Sequence, residues 1–117
     1  MSPQPTPEMP VLKIGTSQVP TEQIVLLMGD GNYTRVVLVD GVVLLSTKTL
    51  ATFELPARAM GFVRVHKSFI INQLYLQSVG KAALTLQYFA KHVPISRRRY
   101  GQDLGNLFLA AQTGAVQ

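Results

Sequence analysis

The sequence contains no cysteine, which excludes disulfides and thiolate metal sites and removes redox state as a direct control. Its only histidines, His66 and His92, are too few for an ordinary zinc centre. No apolar run approaches the ~18 residues of a membrane span, so membrane insertion is not expected. The opening MSPQPTPEMP has neither the basic nor the apolar region of an export signal, and a cytoplasmic protein is the expectation. Catalytic signatures are missing too: there is no G-x-S-x-G, no H-E-x-x-H and no G-x-x-x-x-G-K-[ST]. The acids Glu8, Glu22, Asp30, Asp40, Glu54 and Asp103 fall in the N-terminal stretch, in turns or on helical faces, where they form no acid–base pair. The chain therefore reads as a non-enzyme with no catalytic residue, metal or cofactor. The Gly29-Asp30-Gly31 stretch lacks the remaining oxygen ligands of a calcium loop and reads as a hairpin turn.

One absence is local. Between residues 55 and 102 there is no carboxylate, yet the segment holds eight cations: Arg58, Arg64, Lys67, Lys81, Lys91, Arg97, Arg98 and Arg99. The whole net charge of +5 originates there, since the rest of the chain has more acids than bases. Phe62, Phe69, Tyr75, Tyr88, Phe89 and Tyr100 are interleaved with these cations. A basic block with aromatics is the footprint of a polyanion-binding surface, because phosphate neutralisation supplies most sequence-independent affinity. The competing reading is a solvated face whose charge serves solubility.

With 117 residues, of which 47% are hydrophobic and 15% charged, the chain has the length and balance of one globular domain with a proper core. Four prolines among the first ten residues mark residues 1–19 as a flexible tail, with order beginning near Val11. The domain is placed at 20–110 and a frayed C-terminus at 111–117. Residues 24–28, 33–39 and 42–46 are short β-branched runs separated by Gly-Asp-Gly-Asn and Asp40-Gly41, which predicts strands joined by hairpins, with a type I′ turn at Asp-Gly. Leu50 and Phe53 then suggest a short helix stopped near Pro56. FVRVH over 62–66 reads as a half-buried strand with Arg64 and His66 outward, KSFIINQ as turn-like, and LYLQSV, ALTLQYF and KHVPIS as strands with turns near Gly80-Lys81 and Ala90-Lys91. The fold class is mostly β, a sandwich or barrel rather than a parallel sheet. The apolar run at 42–45 is either a buried strand or a dimer edge.

PISRRRYGQDL, residues 94–104, sets an electrostatic puzzle. Ser96 reads as the N-cap of an amphipathic helix with apolar positions Tyr100, Leu104, Leu107 and Phe108. Arg97, Arg98 and Arg99 then occupy the first turn, where the helix dipole favours anions, so the arrangement anticipates an external anion. His66, isolated at a strand end, is more often a packing or hydrogen-bonding residue than a contact.

FVRVHKSFIINQLYLQSV, followed by VPISRRRYGQDL and preceded by NYTRVVLVDGVVLLSTKTL, resembles the LytTR DNA-binding domain of bacterial response regulators over roughly residues 20–110. The specific element is F-x-R-x-H-x-S-[FY]-[IV]-[IV]-N at 62–72 coupled to [IV]-S-R-x-x-Y at 95–100. The resemblance implies an elongated β-β-β sandwich of about ten short strands with one or two short helices, whose turns rather than a recognition helix enter DNA grooves. It implies base contacts at Asn32 or Tyr33, Lys67 and Arg98, and phosphate contacts at Arg64, His66, Ser68, Ser96, Arg97 and Arg99. Lys67 and Arg98 also follow from the residues themselves, since a long cation at a strand end or helix start can reach a groove. The assignment at Asn32 and Tyr33 rests on resemblance alone, as Gly-Asn-Tyr is accounted for by turn chemistry.

The implied function is sequence-specific binding of double-stranded DNA by a stand-alone transcriptional regulator, two copies occupying direct repeats. The stretch ahead of the first strand leaves no room for a phosphoacceptor domain, so control falls to abundance, a partner protein or a ligand. Two other readings stay open: a small β-rich RNA-binding module, whose aromatics Phe62, Tyr75, Tyr88 and Phe89 fall in runs that read as core, and an interaction protein of a LytTR regulatory system.

Overall fold

A computed structural model describes residues 10–101. Within them, ten strands form three antiparallel sheets. β1 (Val11–Ile14) and β2 (Ser17–Pro20) make a hairpin, while β3 (Ile24–Asp30), β4 (Tyr33–Leu38), β5 (Val43–Ser46), β6 (Phe62–His66) and β7 (Phe69–Asn72) make a five-stranded sheet in the order β5-β4-β3-β7-β6. β8 (Leu76–Val79), β9 (Ala83–Leu86) and β10 (Phe89–Pro94) complete the third sheet, and helix α1 (Leu50–Ala59) connects β5 to β6. The mostly β class and the three-sheet sandwich agree with the sequence reading.

The central sheet is covered on both faces, and this decides where nearly every side chain goes. Strand residues alternate between faces, so Val36, Leu38, Phe62 and Ile70 join Leu50, Phe53 and Ala57 of α1 and Leu12, Ile14 and Val19 of the hairpin in one core. Their neighbours Val37, Val65 and Ile71 join Leu84, Leu86 and Val93 of the third sheet in a second. Doubly covered strands read as continuous apolar runs. That is why KSFIINQ, read as turn-like, contains β7, with Ile70 and Ile71 buried in different cores.

Several expectations are corrected. Residues 11–19, assigned to the tail because prolines crowd the first ten positions, contain β1 and most of β2, with Leu12, Ile14 and Val19 buried, whereas the expected onset of order near Val11 agrees with β1. The prolines at 3, 5 and 7 lie outside the described residues. Helix α1 does not stop near Pro56 but runs through it. The buried stripe Leu50, Phe53, Ala57 spans the proline, and its burial outweighs the roughly 3 kcal/mol of an interior proline. The helix ends instead at Gly61, whose φ of 93° only glycine adopts easily. At Asp40-Gly41 only Gly41 has positive φ, so the turn is not type I′. Bonds from Gly41 N to Leu38 O and from Leu38 N to Val42 O make it a three-residue loop with glycine in the left-handed position. The β9–β10 turn falls at Gln87-Tyr88 rather than near Ala90-Lys91, with Tyr88 itself at φ 69°. Val43 and Leu45 are 49% and 61% exposed on the edge strand β5, so the run at 42–45 is not a buried strand.

Candidate nucleic-acid interface

The antiparallel order brings three connections to one end of the central sheet. β3, β5 and β6 finish there and β4 and β7 begin, as the pairs Asp30↔Tyr33, Thr34↔Ser46 and His66↔Phe69 record. The turn at Gly31-Asn32, the loop at 47–49 and the turn at Lys67-Ser68 therefore lie side by side. Gly29 N donates to Ser68 O at 2.8 Å, and a Cβ at Gly29 would stand 3.4 Å from the Leu50 side chain, so glycine lets the hairpin approach both neighbours. Thr34, fully buried, donates its hydroxyl to Lys48 O at 2.8 Å and fixes the 47–49 loop.

The arginine segment reaches the same end from the third sheet. Ser96 N donates to Val65 O at 2.8 Å, and Ser96 O accepts from Tyr100 N at 2.9 Å, which sets Ser96 at the N-cap of a helix covering 97–101. The continuation through Leu104, Leu107 and Phe108 lies outside the described residues. The guanidinium of Arg64 stands 5.7 Å above the ring of Tyr100. Two bends some thirty residues apart are thus joined by a backbone bond and a cation–π contact.

The cations divide into two kinds. Arg64 was expected to point outward, but its side chain is only 12% exposed because its face of β6 is the one covered by α1. Nη1 donates to Glu54 Oε1 at 2.7 Å, Nε to His66 O at 3.2 Å, and Nη2 to Lys67 O. A planar fork with fixed donors is suited to such a task. It holds the Lys67 turn from beneath. Arg97 plays the same part for the β8–β9 turn, with Nε and Nη2 each donating at 2.7 Å to Lys81 O and Gly80 O. Lys67, Arg98 and Arg99 are exposed, the last 5.7 Å over the Tyr100 ring, and none of the three is paired with a carboxylate among the described residues.

His66 serves its turn as a neutral ring. Its Nδ1 accepts from Ser68 N at 3.1 Å, which requires that nitrogen unprotonated. Burial pushes its pKa below the usual histidine value, and the charges of Lys67 and Arg64 push it the same way. Asn32 and Tyr33 are exposed at the hairpin tip, Tyr33 at 48%. Ser68 and Ser96 are half-buried. The one acid of the hairpin tip, Asp30, is paired with Arg35 at 2.9 Å. Sequence reasoning missed Lys48 and Lys81, both exposed, which Thr34 and Arg97 hold through their carbonyls. Lys81 was counted in the acid-free basic block and marked by the Gly80-Lys81 turn signal, whereas nothing pointed to Lys48.

Among the described residues no group of three His, Cys, Asp or Glu side chains is placed to hold a metal, and no helix is long and apolar enough to cross a membrane. The fold and this end of it define a three-sheet β domain that gathers basic turns and the start of an arginine-bearing helix at one end of its central sheet. The chain belongs to the LytTr DNA-binding domain family, whose model matches residues 15–104. It is thus a DNA-binding domain of the LytTr type. Among solved structures it is similar to a LytTr DNA-binding domain from Bacillus cereus, at 22% identity and a TM-score of 0.62, over 78% of this chain and 85% of that one. That likeness is one of fold. No curated protein matches the chain.

Proposed function

We propose that this chain is a sequence-specific regulator that straddles duplex DNA with the turn-bearing end of its central sheet, without a phosphoacceptor domain within these 117 residues. The observation that carries the reading is the Ser96–Val65 bond, which sets the arginine helix beside the Lys67 turn. Asn32, Tyr33, Lys67 and Arg98 are the proposed base-reaching side chains, and His66, Ser68, Ser96 and Arg99 the phosphate contacts, while Arg97, whose Nε and Nη2 hold the β8–β9 turn, is assigned a positioning role instead of a phosphate contact. Arg64 likewise moves from phosphate contact to positioning residue, because its guanidinium donates to Glu54 and to the His66 and Lys67 carbonyls. A phosphate between Arg99 and the start of the 97–101 helix resolves the misplaced charge of that first turn.

The proposed setting is the cytoplasm, and the proposed target a pair of direct repeats bound by two copies, under the control of abundance, a partner protein or a ligand. Single-stranded RNA is disfavoured by the aromatics. Phe62 is buried in the core and Tyr75 and Phe89 are half-buried, so Tyr88, contrary to its reading as core, is alone in being well exposed at 63%. Tyr33, the other exposed ring, begins a strand of a different sheet, and two rings divided between sheets make no continuous stacking platform.

Selection of duplexes from a random pool at physiological salt tests DNA binding, base preference and repeat spacing together. With ~5 phosphates neutralised per domain, log K should fall against log salt with a slope near −4.5. Lys67→Ala and Arg98→Ala should each cost ~1 to 3 kcal/mol and relax preference at one base position, whereas Arg99→Ala should weaken all sequences alike. Equal losses on cognate and random duplexes for all three substitutions would remove the division between base and phosphate contacts.

A further inference from the structure

Strand β5 is the open edge of the central sheet, and among the described residues no other strand pairs with its outer side. Leu38 N donates to Val42 O at 2.9 Å, so by parity Leu44 and Ser46 turn their backbone groups toward β4, while Val42 N is taken by Asp40 Oδ1 at 3.0 Å. Val43 and Leu45 turn theirs outward, and these are also the residues with exposed apolar side chains, 49% and 61%. An apolar edge with free backbone donors and acceptors invites strand addition, and proteins ordinarily blunt it with a proline, a bulge or an inward charge. β5 carries none of these.

The sequence around the edge complements itself. Asp40, in the loop before β5 with its Oδ1 accepting from Val42 N at 3.0 Å, and Lys48, in the bend after it, are both exposed and neither is in an ion pair among the described residues, so the edge has an acidic and a basic end. If β5 pairs antiparallel with its own copy about a two-fold axis at Leu44, Val43 faces Leu45 of the second copy, and the loop end carrying Asp40 comes to the strand end carrying the second copy's Lys48, each contact occurring twice. The parity also fits. Val43 and Leu45 are the outward-bonding residues, so each facing Val43/Leu45 pair exchanges both backbone bonds while the two Leu44 residues form the non-bonded pair between them.

We propose that β5 joins two copies of this chain into a continuous ten-stranded sheet through this pairing. Antiparallel joining points the two basic ends in opposite directions, so such a dimer holds two duplex segments rather than adjacent sites on one. Copies on direct repeats are related by translation and cannot share a two-fold contact, which leaves β5 free for this use. The bridging consequence rests on the DNA-binding reading above, whereas the self-association does not. A four-residue edge is small, which places the dissociation constant at roughly 10 to 100 μM.

Sedimentation equilibrium of the full chain without DNA, from roughly 5 to 500 μM, brackets that range. The expected result is a shift from the 12.8 kDa monomer to a dimer. Asp40→Lys and Lys48→Asp should each raise the dissociation constant about tenfold by setting like charges opposite one another, and the double exchange should restore it to within about threefold. Val43→Pro, which removes an outward N–H that β4 does not use, should abolish the dimer while the far-ultraviolet circular dichroism stays native. A chain monomeric throughout, or a dimer indifferent to both the exchange and the proline, overturns the proposal. For bridging, an immobilised duplex should capture a second, fluorescent duplex with the wild type and the double exchange, but not with Val43→Pro. Dimerisation and single-duplex binding without capture would refute the bridging. A sound dimer that binds no duplex would refute the DNA reading and leave the β5 contact standing.

Discussion

The backbone N–H of Ser96 donates to the carbonyl of Val65 at 2.8 Å, tying the first residue of the arginine motif to the strand that ends in His66. Neither residue has a side chain suited to reading DNA at a distance, yet their bond sets how far Arg98 stands from Lys67. The proposed interface thus depends on positioning groups beneath it, and those make predictions of their own.

Arg64→Ala should lower stability by about 2 kcal/mol, because Glu54 loses its closest cation and the His66 and Lys67 carbonyls lose a donor. Duplex binding should weaken further than that loss explains, measured well below the melting temperature where the protein is folded. Arg64→Lys should rescue little, since an ammonium cannot reproduce a three-way fork. Unchanged DNA affinity in a folded Arg64→Ala would show that the Lys67 turn needs no support.

Arg97 reaches away from the central sheet to the Gly80 and Lys81 carbonyls, each at 2.7 Å. Arg97→Lys should therefore speed amide exchange in the β8–β9 turn and cost about 1 kcal/mol in urea unfolding, while Arg99→Lys leaves both measurements unchanged. Parallel behaviour of the two substitutions would place Arg97 among the plain surface cations.

Asn72, the last residue of the F-x-R-x-H-x-S block, is 5% exposed and faces no solvent ligand. Its Nδ2 donates to Thr21 O and Ile24 O at 3.1 and 2.8 Å, and its Oδ1 accepts from Leu74 N at 3.0 Å. Asn72→Ala should lower the unfolding free energy by roughly 2 to 4 kcal/mol by stranding buried backbone groups. Asn72→Asp should be at least as harmful, since a carboxylate would confront two carbonyls. A melting temperature within a degree or two of wild type would contradict this role.

His66 is expected to link stability to pH. Its folded pKa is depressed, so between that value and the ordinary 6.5 the unfolded chain binds more protons than the folded one, and stability falls as pH falls through this window. Above about pH 6.5 the contribution is complete and flat. Thermal melts between roughly pH 7.5 and 5.5 should show the decline, and His66→Gln should remove this part of it. Added duplex should oppose the decline, because phosphate near His66 favours the charged ring. A wild-type profile that His66→Gln leaves unchanged would assign the dependence to other groups.

The sequence by itself determined the mostly β class, because short β-branched runs between glycine-bearing turns leave few alternatives, and it placed eight of the eleven basic residues within one acid-free stretch. It also carried the paired motifs at 62–72 and 95–100, whose joint spacing pointed to the family that the 15–104 match confirms. Only the tertiary structure decided which cations face outward. Period-two alternation distinguishes the two faces of a strand but not whether each is covered; with α1 on one face and the third sheet on the other, Arg64 goes inward. Helix α1 outlasting Pro56 and the left-handed Tyr88 had the same origin in long-range contact, the first through burial of Ala57, the second through a turn whose ring meets Tyr75 edge-on at 5.4 Å. Local propensity names the elements, whereas the direction of a charge depends on what packs beside it from elsewhere in the chain.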